Sequence, residues 1–148
     1  APSLEEAREI VNDVFLKVFS KIDQYDPEQS FKPWLNKITV YTAIDYYRKN
    51  IKNEPVTDDL ETIEETRCPS DIIAQISAEE LRDLVQQLSP ACRAAINLYA
   101  IEGYEHNEIA DMLGISVGTS KSNLFKARAK LKILLQQRTH IKPHANSW

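Results

Sequence analysis

The sequence predicts an all-α protein made of two small helical domains joined by an acidic linker. Apolar residues recur every three or four positions along most of the 148-residue chain, whereas no stretch alternates apolar and polar residues as a half-buried strand does. Acidic residues and prolines concentrate in one central stretch, a composition that rarely supports a core. The predicted divisions are residues 1–50, a linker over 51–76, a second domain over 77–138 and a tail over 139–148.

Two long helices account for the first domain. The first is predicted from residue 4 to about residue 22, with apolar residues on one side and charges on the other. The second is predicted from Phe31 to Lys49, with Pro33 in its first turn, where proline is tolerated. The spacing of Trp34 within this helix favours a core position.

The central stretch from Ile51 to Ile76 is strongly acidic. It holds seven acidic side chains and two basic ones, and two prolines interrupt regular structure. A solvated spacer is the plain interpretation of this composition.

The second domain begins with residues that are typical of helix N-termini. Ser77 and Glu80 have the spacing of a capping box, which predicts a helix that runs through Leu88. The pair Ser89-Pro90 predicts the start of a further helix, which should end near Gly103.

A helix-turn-helix pattern follows. Ile109, Met112 and Leu113 have helical spacing. Gly114 can adopt the positive φ that ends a helix, and Ser116 can cap the next helix by accepting a hydrogen bond from a free backbone amide. In DNA-binding proteins with this motif the second helix enters the major groove.

The second helix of this motif has an inward face and a basic outward face. An apolar stripe is expected to pack inward at Leu124, Ala127, Leu131 and Leu134. The side chains expected to face outward are Lys121, Ser122, Phe125, Lys126 and Arg128. From Val117 to Arg138 there are six basic residues and no acidic one, which indicates a polyanionic partner. A solvated basic surface without a partner is the alternative.

Bulk properties narrow the classes of function. A formal net charge of −4 argues against a free-standing, non-specific DNA binder. No apolar run is long enough to span a membrane, and charges near the N-terminus argue against a signal peptide. The two cysteines, Cys68 and Cys92, are expected to be reduced thiols in the cytoplasm.

Enzymatic chemistry and metal binding are disfavoured. The chain has three glycines and shows no catalytic triad and no phosphate-cradling loop. His140 and His144 are four residues apart, but Pro143 argues against a helical metal pair. No cofactor and no metal are therefore expected.

Motifs in both halves resemble the extracytoplasmic-function (ECF) group of bacterial RNA polymerase sigma factors. In the second half the resemblance lies in Leu88–Leu98, Glu102–Ala110 and Leu113–Arg128. In the first half it lies in Glu6–Lys17, which is similar to the family's polymerase-docking helix, and in Phe31–Asp45, which is similar to its promoter-melting helix. The family's second region begins with earlier helices, so the resemblance implies that the sequence from Leu4 onward corresponds only to the later part of that region.

The resemblance implies a non-enzymatic initiation factor whose sites are surfaces. Contacts to the clamp helices of the largest polymerase subunit are implied for Asn12, Asp13, Leu16 and Phe19. Contacts to the minus-ten promoter element are implied for Lys37, Tyr41, Thr42, Tyr46, Arg48 and Lys49. Contacts to the minus-thirty-five element are implied for Ser116, Thr119, Lys121, Ser122, Phe125, Lys126 and Arg128. The implied partners are core polymerase, promoter DNA and an anti-sigma factor.

Several alternatives stay open on the sequence alone. The chain could be a helix-turn-helix regulator that binds an operator without polymerase, or an interaction module that binds a regulatory protein. Leu16 and Phe19 could be core residues instead of docking residues. The acidic linker could be a spacer or, by the resemblance, a segment in the RNA exit path of polymerase.

Overall fold

The computed structural model describes residues 3–50 and 76–141, apart from the side chains of 139–141. These residues belong to two compact units, one on either side of the gap. Every regular element in the described ranges is helical, so the all-α prediction is confirmed. Residues 51–75 of the predicted linker and residues 142–148 of the predicted tail lie outside the description.

The first unit contains two long helices. Helix α1 spans Leu4–Lys21, a short 3-10 turn spans Ile22–Gln24, and helix α2 spans Phe31–Asn50. The Ser3 hydroxyl accepts a hydrogen bond from the Glu6 amide at 3.2 Å, and the Glu6 carboxylate accepts one from the Ser3 amide. This capping box satisfies two amides that the first turn of a helix leaves without partners.

The helices α1 and α2 pack against each other. In the described part of this unit the buried apolar side chains are Val14, Val18, Val40 and Ile44. At the surface, the Lys17 ammonium lies 3.2 Å from the Asp45 carboxylate. Both of these side chains are substantially exposed, so the ion pair contributes little to stability. Apolar burial is therefore the main contribution to the stability of this helix pair.

The described part of the second unit contains four helices. Helix α3 spans Ala78–Gln86, and helix α4 spans Pro90–Ile96 and continues into a π-helical turn at Asn97–Ile101. Helix α5 spans His106–Leu113 and helix α6 spans Val117–Ile141. Helix α6 packs against α3, α4 and α5, so it is the central element of this unit.

The predicted capping signals of the second unit are present. Ser77 and Glu80 form the capping box of α3, and the Ser89 hydroxyl accepts a hydrogen bond from the Cys92 amide at the start of α4. Gly103 has a φ of 78° and follows the π-helical turn. Arg93, which the sequence did not single out, donates hydrogen bonds to two carbonyl oxygens, one at the last residue of α3 and one two residues later.

The turn between α5 and α6 has the predicted geometry. Gly114 caps α5 with φ 65° and ψ 40°, a left-handed conformation, which L-residues with a side chain adopt at a cost. The Ser116 hydroxyl then accepts a hydrogen bond from the Thr119 amide at 3.0 Å. A glycine and a serine thus set the angle at which α6 leaves α5.

Replacing each of two glycines near this turn with alanine is expected to change the free energy of unfolding in opposite directions. Gly114→Ala is expected to lower the free energy of unfolding by about 1–2 kcal/mol, because its φ is positive. Gly118 lies inside α6, and an added Cβ would meet only the Ser116 hydroxyl, at 3.8 Å. Gly118→Ala is therefore expected to raise the free energy of unfolding by about 0.5–1 kcal/mol. Urea denaturation of both variants measures the difference, and two changes of the same sign would contradict the assignment.

None of the helices in the described ranges is both long enough and apolar enough to cross a membrane.

Candidate functional surfaces

Helix α6 is anchored by its apolar stripe. Leu124, Ala127 and Leu131 are buried, as predicted. The next buried side chain is Leu135, while the predicted Leu134 is half-buried. The shift by one residue follows from the 3.6-residue period of the helix, since positions 124, 131 and 135 are seven and four residues apart.

The exposed side of α6 carries a basic and aromatic stripe. Lys121, Phe125 and Arg128 are exposed, and their spacing of four and three residues places them along one side of the helix. Phe125 is 63% exposed, so it places an apolar surface between the two cationic side chains. This arrangement favours a ligand that offers both negative charge and apolar surface, as phosphates and thymine methyl groups do.

The other minus-thirty-five candidates differ in availability. Ser122 and Thr119 are exposed, whereas Lys126 is half-buried. The hydroxyls of Ser116 and Thr119 lie 2.8 Å apart, and the Ser116 hydroxyl also caps α6. The Ser116 hydroxyl is therefore already engaged in capping α6, and any contact to DNA would be additional to this hydrogen bond.

A cluster that the sequence did not reveal lies beside this stripe. The rings of Tyr99 and His106 are stacked, with centroids 4.7 Å apart. The His106 Nδ1 lies 2.9 Å from the hydroxyl of Ser120, and the Arg128 guanidinium lies 5.7 Å from the centroid of the Tyr99 ring. Because the four residues come from three separate segments, periodicity along the chain could not have identified the cluster.

The four docking candidates on α1 are all exposed: Asn12, Asp13, Leu16 and Phe19. Phe19 is 73% exposed, so it is not a core residue in the described part of the chain. The predicted apolar side of α1 is buried only at Val14 and Val18. Phe15, another apolar residue predicted on this side, is 56% exposed.

The exposed minus-ten candidates on α2 are Lys37, Tyr41, Arg48 and Lys49. Thr42 is different, since it is 3% exposed and its hydroxyl donates a hydrogen bond to the Ile38 carbonyl at 2.7 Å. A threonine hydroxyl commonly makes this bond to the preceding helical turn. Thr42 thus has no surface to offer a DNA strand in this structure, which corrects its inclusion in the set.

Tyr46 is half-buried and is engaged with α1. A hydrogen bond to the Glu6 carboxylate raises the pKa of Tyr46 to about 12. The same bond, together with the Ser3 amide, lowers the pKa of Glu6. This bond therefore links the start of α1 to the end of α2.

Tyr46→Phe is expected to raise the pKa of Glu6 towards its ordinary value. The carboxylate would lose the phenol donor and keep the Ser3 amide, so the pKa stays somewhat lowered. A carboxyl group whose pKa is lowered by folding stabilises the fold at pH values above its ordinary pKa. This stabilisation is lost as the pH falls through the pKa of the folded state. The acid side of the stability profile should accordingly flatten in the variant. NMR titration of the Glu6 carboxyl measures the shift, with the exposed Tyr41→Phe as control; equal Glu6 pKa values in all three chains would refute the link.

Three aromatic rings form a cluster between the 3-10 turn and the first turn of α2. The ring of Tyr25 contacts those of Phe31 and Trp34, with centroids 5.4 and 5.2 Å apart. Trp34 is half-buried, so the predicted core position is confirmed only in part. The rings stabilise the loop between the helices through edge and tilted contacts.

No group of three or more potential metal ligands is found among the described residues. Cys92 is a free thiol that packs beside the core of the second unit.

Comparison with known proteins covers both units. "Sigma-70 region 2" matches residues 1–52, and "Sigma-70, region 4" matches residues 78–131. The chain is 32% identical over 139 residues to the RNA polymerase sigma factor SigZ of Bacillus subtilis, covering 89% of this chain and 76% of that protein. It is 30% identical over 132 residues to the ECF RNA polymerase sigma factor SigE of Mycolicibacterium smegmatis, covering 86% of this chain but only 51% of that protein.

A solved structure shares the fold. The sigma factor RpoE of Bartonella quintana, in complex with the anti-sigma factor NepR, aligns with a TM-score of 0.54 and 24% identity. The alignment covers 92% of this chain and 84% of that one. The two matched regions and the relatives establish that the chain belongs to the ECF group of the sigma-70 family of RNA polymerase sigma factors.

Proposed function

We propose that the chain acts in the cytoplasm as a sigma factor that directs core RNA polymerase to promoters and supports strand opening. The observation that carries this proposal is the presence of two separate interaction surfaces in one chain. One is the exposed stripe on α6 of Lys121, Phe125 and Arg128. The other is the exposed part of α1 from Asn12 to Phe19. An operator-binding regulator needs the first surface and has no use for the second.

Helix α6 is proposed to read the minus-thirty-five element in the major groove. Its N-terminal end carries the capped turn and the exposed Lys121, and in helix-turn-helix proteins the N-terminal residues of the second helix contact base edges. Lysine can donate to guanine acceptors, and Phe125 can contact a thymine methyl group. Thr119 and Arg128 are proposed to contact phosphates, which position the helix without reading sequence.

Helix α2 is proposed to contact the minus-ten element. With Thr42 buried, the available candidates in the described range are Lys37, Tyr41, Arg48 and Lys49. The first three lie along one side of the helix, at intervals of four and seven residues. An exposed tyrosine between basic residues suits an unpaired base and its phosphates, because bases stack on aromatic rings.

Helix α1 is proposed to dock on the clamp helices of the largest polymerase subunit. Leu16 and Phe19 supply apolar anchors, while Asn12 and Asp13 supply polar groups that fix the register. A family relative crystallised with an anti-sigma factor supports the further proposal that an anti-sigma factor binds this chain as well.

Transcription from a randomised promoter library tests the proposal directly. The chain is combined with core polymerase, and the transcribed templates are sequenced. We expect enrichment of two short elements at a fixed spacing. A transcript pool with no enrichment over core polymerase alone would refute the sigma-factor function.

Lys121→Ala is expected to weaken binding to the enriched upstream element selectively. A lost base-edge contact costs about 1–3 kcal/mol, whereas a lost phosphate contact weakens all sequences about equally. Lys130→Ala is the matched control, because this exposed lysine lies nine residues further along α6 and hence on the opposite side. Fluorescence anisotropy with the selected duplex and a scrambled duplex separates the two cases. Equal losses on both duplexes would assign Lys121 to a phosphate.

A further inference from the structure

Two aromatic rings connect α6 to the segment that precedes it. Tyr99 lies in the π-helical turn and His106 is the first residue of α5. Their rings are nearly parallel, with 20° between the planes. From this stack, one contact reaches Ser120 and another reaches Arg128.

The two residues of α6 that the stack contacts are well separated along the helix axis. Ser120 and Arg128 are eight residues apart, about 12 Å along the helix axis. Ser120 is fully buried, and its hydroxyl is bonded to the His106 ring. Arg128 is exposed and lies on the same side of the helix as Lys121 and Phe125. The stack therefore connects a buried anchor to the basic stripe.

The Tyr99 ring takes part in these contacts through its face. The guanidinium of Arg128 lies over the ring, an arrangement that attracts a cation to the π-electrons. Arginine is suited to this position because its flat group stacks on a ring while its outer N–H groups stay free to donate. An arginine held in this way loses less side-chain freedom when it meets a ligand.

We infer that Tyr99 is a positioning residue, which holds the Arg128 guanidinium ready for a DNA phosphate while the His106–Ser120 bond fixes the plane of the ring. This inference deepens the proposed DNA-binding role of α6 and rests on it. It assigns a role to a residue outside the helix-turn-helix, which sequence patterns of that motif would not identify.

The contact itself is tested without DNA. Protons of the Arg128 side chain over an aromatic ring have NMR signals shifted upfield by the ring current. We expect this shift in the wild-type chain and in Tyr99→Phe, which keeps the ring. We expect it to disappear in Tyr99→Leu. A shift that is unchanged in Tyr99→Leu would overturn the inference.

The positioning role is tested with a short DNA duplex of mixed sequence, titrated over a series of low salt concentrations, at which weak binding to phosphates becomes measurable. Tyr99→Leu is expected to weaken binding about two- to tenfold, the cost of ordering one flexible side chain at an interface, and Tyr99→Phe is expected to bind with wild-type affinity. Arg128→Gln is expected to lower the salt slope by about 1, as the loss of one phosphate contact does. In the Arg128→Gln background, Tyr99→Leu should have no further effect.

The outcomes separate the inference from the proposed function. A merely structural role for Tyr99 would weaken binding equally in both backgrounds, and that result would overturn the inference. An unchanged salt slope in Arg128→Gln would overturn it too. Coupling on the mixed duplex together with a failed promoter selection would support the positioning role and refute only the promoter function. Urea denaturation of each variant confirms that the folded fraction is the same in every titration.

Discussion

A chain that carries Phe19→Arg is expected to lose binding to core RNA polymerase and to keep its fold. Phe19 is 73% exposed, so the substitution removes no core packing from its unit. An aromatic anchor at the centre of an interface typically contributes 2 kcal/mol or more, which corresponds to about a thirtyfold loss of affinity. A buried arginine without a partner would add to the loss. Pull-down and anisotropy with core polymerase measure the effect.

Leu4→Arg is the matched control for this experiment. Leu4 is 69% exposed and belongs to the same helix, but it lies 15 residues before Phe19, about 22 Å along the axis. The control has the same change of chemistry and the same expected effect on the fold. If both variants bind polymerase like the wild type, α1 is not the docking surface, and the operator-binding alternative gains support.

The second large effect is expected from Ile109→Ala in helix α5. Ile109 is 0% exposed, and truncation of a buried isoleucine costs about 2–5 kcal/mol through lost transfer free energy and the cavity left behind. A small helical domain has only a modest margin of stability. We therefore expect a large fraction of the second unit to unfold and DNA binding by α6 to fall in proportion.

Ile101→Ala is the control for the core variant. Ile101 is the same residue type and is 69% exposed, so its truncation should change the free energy of unfolding by less than about 0.5 kcal/mol. Urea denaturation followed by circular dichroism gives both values. Similar losses in the two variants would contradict the burial pattern of the second unit.

The helices and their caps could be predicted from the sequence because the causes are local. The capping box of Ser77 and Glu80 needs residues three positions apart, and the left-handed turn at Gly114 needs one glycine. The period of apolar residues likewise identified Leu124, Ala127 and Leu131 as the buried face of α6. These features depend on neighbours in the chain, so a single sequence is sufficient to predict them.

Only the tertiary structure decided which of the candidate residues are exposed to a partner and which are buried. The family resemblance implied a surface role for Thr42, yet it is buried and its hydroxyl donates a hydrogen bond to the Ile38 carbonyl. Phe19 has an apolar side chain typical of a core and is exposed. Burial depends on what packs against each side of a helix, and helical periodicity carries no such information.

The cluster around Tyr99 shows the same limit most clearly. Its members are separated by up to 29 residues in the chain, and their contacts exist only because α4, α5 and α6 pack together. The sequence by itself determined the helical class, the caps and the family resemblance, because these reside in local patterns. The long-range packing of side chains decided which residues form the surfaces, because contact geometry arises only when distant segments are brought together.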